Sequence, residues 1–218
     1  MARVRLGMAF QDLRGAMGRE VVVRTRAGLA VRGKPRYRYP MNAEVALGAN
    51  RMTEANAQWN TLTRQDVALW EAYASQIIRR DPVSMTSYSP TAKNAFIGLA
   101  LKFLQVNPGQ EAPRVPPASD FVGDPISLTA EAIPSGIRFL ATGPNSAGVL
   151  TELLAQRLKN ERCRPGKQYK SLGFHAFDGA PYEAPFEPGV YALAMRFVRA
   201  STGQATDLLL LGEHDVFA

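Results

Sequence analysis

The stretch Val190-Tyr191-Ala192-Leu193-Ala194-Met195-Arg196-Phe197-Val198 decides the fold class of the C-terminal half. Successive side chains of an extended chain point to opposite faces, so Tyr191, Leu193, Met195 and Phe197 share one face. Ala192, Ala194 and Arg196 share the other. The large residues are predicted to fill a core, and the small ones to meet a neighbour or solvent. That is a β-strand signature.

Working outward, similar short runs recur between turn residues. Ile126–Ile133 ends at Pro134-Ser135-Gly136, and Ile137–Ala141 ends at Gly143-Pro144-Asn145. Gly148–Leu158 reads as a strand or a short helix. Gln168–Phe177 precedes a Pro- and Gly-rich loop from Asp178 to Gly189, and Thr206–Leu211 closes the series. Strands at this spacing predict an antiparallel β-sandwich of immunoglobulin- or fibronectin-like type over 126–218. The buried tryptophan and disulfide of antibody domains are missing. Leu208-Leu209-Leu210-Leu211 is apolar on both faces, which fits either packing between subunits or a sheltered central strand.

Upstream lies a segment with five prolines between 108 and 125, read as a stiff linker. Before it, residues 41–107 are predicted to be a small helical unit. Met52, Ala55, Trp59 and Leu62 form one stripe over 50–62, and Val67, Trp70, Ala74, Ile77 and Ile78 form another over 64–80. Thr63 and Asp66 are spaced as a capping box, and Asp81-Pro82 is a stop. A third helix is expected to open at Ser89-Pro90 and run through Phe96, Ile97, Ala100, Leu101 and Leu104 to Asn107-Pro108-Gly109. Paired tryptophans at helical spacing predict core. The whole chain is therefore expected to be α+β.

Charge singles out the remaining segment. Of 218 residues, 26 are Lys or Arg and 19 are Asp or Glu, a formal charge of +7. Residues 1–40 hold ten basic and two acidic residues (+8), leaving 16 basic and 17 acidic in 41–218 (−1). Nine of the ten are arginine, suited to bidentate contacts with carboxylate or phosphate. Arg24 and Arg26 lie in a predicted hairpin, Glu20–Arg26 and Leu29–Arg32 flanking an Ala27-Gly28 turn with Gly28 at positive φ. Arg32, Lys34, Arg36 and Arg38 then alternate with residues ending in Tyr37 and Tyr39, giving a basic edge and an aromatic one. These eight residues are the candidate partner-binding set. The arm could clamp an acidic protein surface, bind nucleic acid through phosphate contacts and tyrosine stacking, or be a solvated basic tail.

Composition argues against several chemistries. One cysteine, Cys163, excludes an intramolecular disulfide framework, and two histidines, His175 and His214, make a multi-histidine metal centre an unpromising expectation. Glu213-His214-Asp215 is the densest set of potential ligands, but neighbours on an extended chain diverge, so a polar tail is expected there. Cys163 lies between Arg162 and Arg164, and a Cys163–His175 thiolate–imidazole pair lacks any recognisable signature. No phosphate-binding glycine loop or hydrolase motif is present. No enzyme activity, cofactor or metal is expected. No segment reaches the roughly 18–20 apolar residues of a membrane span. Phe96 to Val106 comes nearest and carries Lys102. The basic start MARVRLGMAF lacks a signal peptide's apolar stretch, so a soluble protein of a reducing compartment is expected.

Gln58-Trp59-Asn60-Thr61-Leu62-Thr63-Arg64-Gln65-Asp66-Val67-Ala68-Leu69-Trp70 looks like a W-x-x-L-[ST]-x-x-[QR]-x-x-x-W helical pair, with Asp66 standing at the [QR] position. With Gly15-Ala16-Met17-Gly18, Val21-Val22-Val23 and the basic stretch Arg32 to Pro40, it resembles poorly characterised phage and prophage structural proteins. These carry a Gly/Arg-rich N-terminal hairpin, such a helical pair and a fibronectin-like C-terminal part. The resemblance spans about residues 10–105 by motif. Tyr39-Pro40-Met41-Asn42 replaces the family's Asn-Pro opening of the helical region. The resemblance implies a virion protein assembled in the host cytoplasm, a capsid decoration or minor head or tail component. Its expected partners are capsid or other virion proteins and further copies of itself, with nucleic acid as the alternative.

Overall fold

A computed structural model describes residues 2–4, 15–25, 28–34, 43–80, 87–160, 163–166 and 168–217. The fold is α+β, with three helices and several antiparallel sheets among these residues. The chain divides into two compact units, Met1–Val45 and Ala46–Ala218.

The first unit is a four-stranded antiparallel sheet built from β1 (Ala2–Val4), β2 (Gly15–Met17), β3 (Glu20–Thr25) and β4 (Gly28–Gly33), in the order β1-β4-β3-β2. The predicted hairpin is present as β3–β4, but Gly28 is not in its turn: it pairs with Thr25 and belongs to the ladder. Among the residues described there, Val22 and Ala30 are buried. Gly18 takes φ 60° in the β2–β3 turn, a conformation glycine adopts without a Cβ clash.

The helices are α1 (Ala43–Asn60), which enters the second unit at Ala46, and α2 (Arg64–Gln76) and α3 (Ala92–Val106) within it. α1 starts well before the predicted 50, and among its described residues only Ala55 is fully buried. A weak apolar stripe hides a helix start from sequence. The Thr63–Asp66 capping box is formed in full: Thr63 Oγ1 accepts from the Asp66 N–H, and Asp66 Oδ2 accepts from the Thr63 N–H at 3.0 Å. α3 is capped by Thr91, whose hydroxyl accepts from Asn94 N–H, rather than by Ser89; Pro90 lies before the helix. After α2 the chain leaves helical geometry at Ile77, and β5 (Arg79–Arg80) pairs with β6 (Ser87–Tyr88). The Asp81-Pro82 stop lies outside the described residues. Trp70 packs edge-on against Phe96, with ring centroids 5.2 Å apart, and both are buried beside Ala74, Ala100, Phe103 and Leu104. Burying such a side chain contributes about 1.5–3 kcal/mol.

Two sheets make up the rest. One holds β10 (Lys170–His175), β9 (Val149–Arg157), β12 (Gly189–Arg199) and β13 (Leu209–Val216), in that order. The other is β11 (Tyr182–Pro185), β8 (Gly136–Ala141) and β7 (Leu128–Ile133). A single apolar core draws on both, joining Ile137, Phe139 and Ala184 to Leu153, Leu193, Met195 and Val216. Tyr191, Leu193, Met195 and Phe197 are buried as predicted, and Ala192 and Ala194 are buried too, so both faces of β12 are covered. Gly148–Leu158 resolves as strand β9. The Asp178–Gly189 segment read as a loop contains β11, whose Glu183 faces Arg138 at 2.8 Å. β13 begins three residues later than expected and takes in Glu213-His214-Asp215, which are strand rather than tail.

Segment 108–125, read as a linker, is held along its length. Ala112 is buried and its N–H donates to Gln58 Oε1, while Trp70 Nε1 donates to the Arg114 carbonyl at 2.7 Å. Arg199 stacks over Phe121, and the Asp124 carboxylate accepts from Ser146 N–H and Oγ. Proline supplies stiffness, but contacts remote in sequence decide where a stiff segment lies.

α3 meets the connection between β12 and β13 in a close approach at Gly203. With φ 74°, a Cβ there would lie 2.3 Å from the Leu99 carbonyl oxygen and 2.7 Å from the Phe103 nitrogen. Asn107 Nδ2 donates to Ala200 O at 2.8 Å beside it.

Candidate functional site

The basic surface of the first unit starts from β4. Arg32 stands opposite Val21, and the Lys34 N–H donates to the Arg19 carbonyl at 2.7 Å just past the ladder's end. Side chains two apart share a face, and Arg32 and Lys34 are both exposed. Register brings in a third cation that sequence reasoning missed. Arg19, in the β2–β3 turn, is exposed and lies next to Lys34 across the ladder. Its signal was the hairpin register, which a linear scan of alternating basic residues does not use. Arg24 lies in β3 opposite Leu29. Arg26, Arg36, Tyr37, Arg38 and Tyr39 lie outside the described residues.

A second constellation is ionic and buried. Glu152 on β9, 1% exposed, accepts from Lys102 Nζ of α3 at 3.0 and 3.1 Å and from Arg196 Nε of β12. Strand alternation puts Leu153 and Ala155 into the core between the sheets, so Glu152 points to the opposite face, toward α3. Lys102 also donates to Gln105 Oε1 and lies 5.4 Å from the Phe174 ring centroid. Burial pushes the Glu152 carboxyl up, but the Arg196 hydrogen bond, the Lys102 charge and the Ser171 hydroxyl outweigh it and hold it below the usual range. Burial pushes the Lys102 ammonium down, against the pull of Glu152. Two cations on one carboxylate, all of them partnered, make a structural clamp between helix and sheet.

The other candidates separate. His175 stacks on Tyr182 with centroids 3.7 Å apart and leans toward Phe177, and burial lowers its pKa. Among the described residues no contact joins it to Cys163, whose N–H bonds Asn160 O. Glu213 and Asp215 alternate with His214, whose Nε2 lies 3.2 Å from Leu211 O. Among the described residues no three His, Cys, Asp or Glu side chains gather where they could hold a metal ion. No helix among them is long and apolar enough to cross a membrane.

One groove of about 450 Å³ opens beside β9 and β10, lined by Leu172, Phe186 and Tyr191 and by Arg157 and Lys170. Arg157 is engaged there, donating to Glu187 Oε2 at 2.8 Å and to Pro188 O at 3.0 Å. At the far edge of the same sheet, Leu208, Leu209 and Leu210 are exposed, Leu210 by 70%. Among the described residues β13 is an edge strand, not the sheltered central strand that would explain four leucines in a row.

The chain matches no protein-family model, no curated protein and no solved structure.

Proposed function

We propose that the chain is a non-enzymatic structural component of a phage-like particle, a capsid decoration or minor head or tail protein. It docks on acidic virion partners through its basic N-terminal unit and assembles with further copies of itself. The two sheets that share one core are read as a sandwich of immunoglobulin- or fibronectin-like type. The observation that carries the docking role is the charge partition. The +8 excess lies within residues 1–40, nearly coextensive with a separate compact unit, where Arg19, Arg32 and Lys34 are exposed at one end of a sheet. Concentrated arginine on a near-neutral body steers association and fixes register through bidentate forks. The particle itself comes from the resemblance of residues 10–105, and assembly would take place in the host cytoplasm.

The test is incorporation of the full chain carrying Arg19→Glu, Arg32→Glu and Lys34→Glu into particles. Loss of incorporation with an unchanged near-UV spectrum supports docking through this surface; full occupancy sinks it. A salt titration on DNA and RNA decides the alternative. Tight retention at low salt that falls steeply with salt would move the arm's partner from protein to nucleic acid.

A further inference from the structure

We infer that copies of this chain join head to tail, the β13 edge of one adding to the β10 edge of the next. The inference rests on the self-assembly part of the reading above and not on the basic arm.

Among the described residues β10 and β13 are the outermost strands of the second unit's four-stranded sheet, whose order is β10-β9-β12-β13. Each edge carries the same irregularity. On β10 the register jumps between Ser171 and Gly173, leaving Leu172 as the extra residue; on β13 the partners of Leu193 and Ala194 are Gly212 and Leu210, leaving Leu211. In each case a glycine with positive φ follows the extra leucine, Gly173 at 141° and Gly212 at 100°. An edge bulge normally blunts strand addition, because it bends the edge and misaims its hydrogen-bonding groups. Two equal bulges laid against each other cancel.

Strand sense permits this. All three neighbours in the sheet are antiparallel, so β10 and β13 run in opposite directions. A near-translated copy therefore brings its β10 antiparallel to the first copy's β13. Face assignments then select the register. On β10, Ser171 and Phe174 pair with Leu154 and Glu152 on the helix-facing side, while Lys170 and His175 pair with Ala155 and Thr151 on the other. On β13, Glu213 and Leu210 pair with Ala192 and Ala194 on the helix-facing side, while His214 and Leu209 pair with Tyr191 and Met195.

One alignment sets Lys170 opposite His214, Ser171 opposite Glu213, Phe174 opposite Leu210 and His175 opposite Leu209. It opposes Leu172-Gly173 to Leu211-Gly212. A shift of one residue sets opposite faces against each other, and a shift of two sets an extra leucine against a regular residue. The chosen register covers Leu209 and Leu210, exposed by 48% and 70%, with Phe174 and His175. A heterologous contact of this kind closes into a ring or runs on as a filament.

The experiment is sedimentation of the full chain with two single variants, Leu172→Asp on β10 and Leu210→Asp on β13, both at exposed positions. Wild type is expected to sediment as a multimer at roughly 100 μM. Each variant alone is expected to be a monomer, and an equimolar mixture to give dimers and nothing larger, because one intact edge of each kind remains. A monomeric wild type overturns the inference together with self-assembly. A multimeric wild type with Leu172→Asp assembling normally overturns the inference alone, since β13 would then pair with itself or the contact lie elsewhere.

A second measurement guards against misfolded variants. In a Cys163→Ser background, Ser171→Cys with Glu213→Cys should oxidise to a ladder of dimers, trimers and higher species. Products that stop at the dimer, or no cross-link at all, overturn it.

Discussion

The Glu152 carboxylate and the Lys102 ammonium meet at 3.0 Å across the junction of β9 and α3, with Glu152 fully buried and the Lys102 side chain 14% exposed. Arg196 completes the clamp from β12. Desolvating three charges costs free energy that their mutual attraction offsets only while all three are present.

Glu152→Gln should therefore destabilise the second unit by about 3–5 kcal/mol, because it leaves Lys102 and Arg196 facing a neutral amide. Replacing all three together (Lys102→Met, Glu152→Leu, Arg196→Met) should recover most of that loss. Chemical denaturation of the three proteins measures both steps; a triple variant as unstable as the single one would refute the clamp.

Acid should act on the same carboxylate. Its folded-state pKa lies below its unfolded value, so its stabilising contribution is full above the unfolded pKa and is lost as pH falls through the folded one. The gap in melting temperature between wild type and Glu152→Gln should be widest near neutrality and narrow below about pH 4. A gap that stays constant down to pH 2 would show that another group carries the effect.

Gly203→Ala tests the seat of α3. The new Cβ meets helix backbone at Leu99 and Phe103 in a left-handed conformation, so neither a rotamer change nor a small side-chain shift relieves it. The expected cost is about 3 kcal/mol or more. The neighbouring Thr202→Ala, on a partly buried turn residue, should cost less than half as much in the same assay.

Trp70→Phe removes the donor to the Arg114 carbonyl and leaves a gap in the helical core. A loss of about 1–3 kcal/mol is expected, together with faster proteolytic cleavage after Arg114. Cleavage at the wild-type rate would mean that the other contacts of 108–125 suffice to hold it.

Much of the local structure was legible in the residues. The alternation of Tyr191, Leu193, Met195 and Phe197 identified a buried strand, and Thr63 with Asp66 marked the start of α2 to the residue. Both signals act within a few positions, where geometry depends only on neighbours. Legibility failed where the local signal was weak or duplicated. Ser89 and Thr91 are equally good caps, and the first turns of α1 bury nothing that would give them a stripe. β11 hid in a Pro- and Gly-rich segment because its partner β8 lies more than forty residues upstream.

By itself the sequence determined the α+β class, the tryptophans as part of the helical core (Trp70 buried in it, Trp59 partly buried against it) and the confinement of the net positive charge to residues 1–40, all of which follow from composition and short-range periodicity. Tertiary structure decided the rest. Lys102 looked like a break in an apolar helix and Glu152 like an ambiguous residue in an uncertain strand, yet 50 positions apart they form one clamp. Leu172 and Leu211 became bulges only when their partners' registers were set. Which side chain faces which is settled by how sheets and helices stack, and the free energy of that stacking comes from contacts between segments that are distant along the chain.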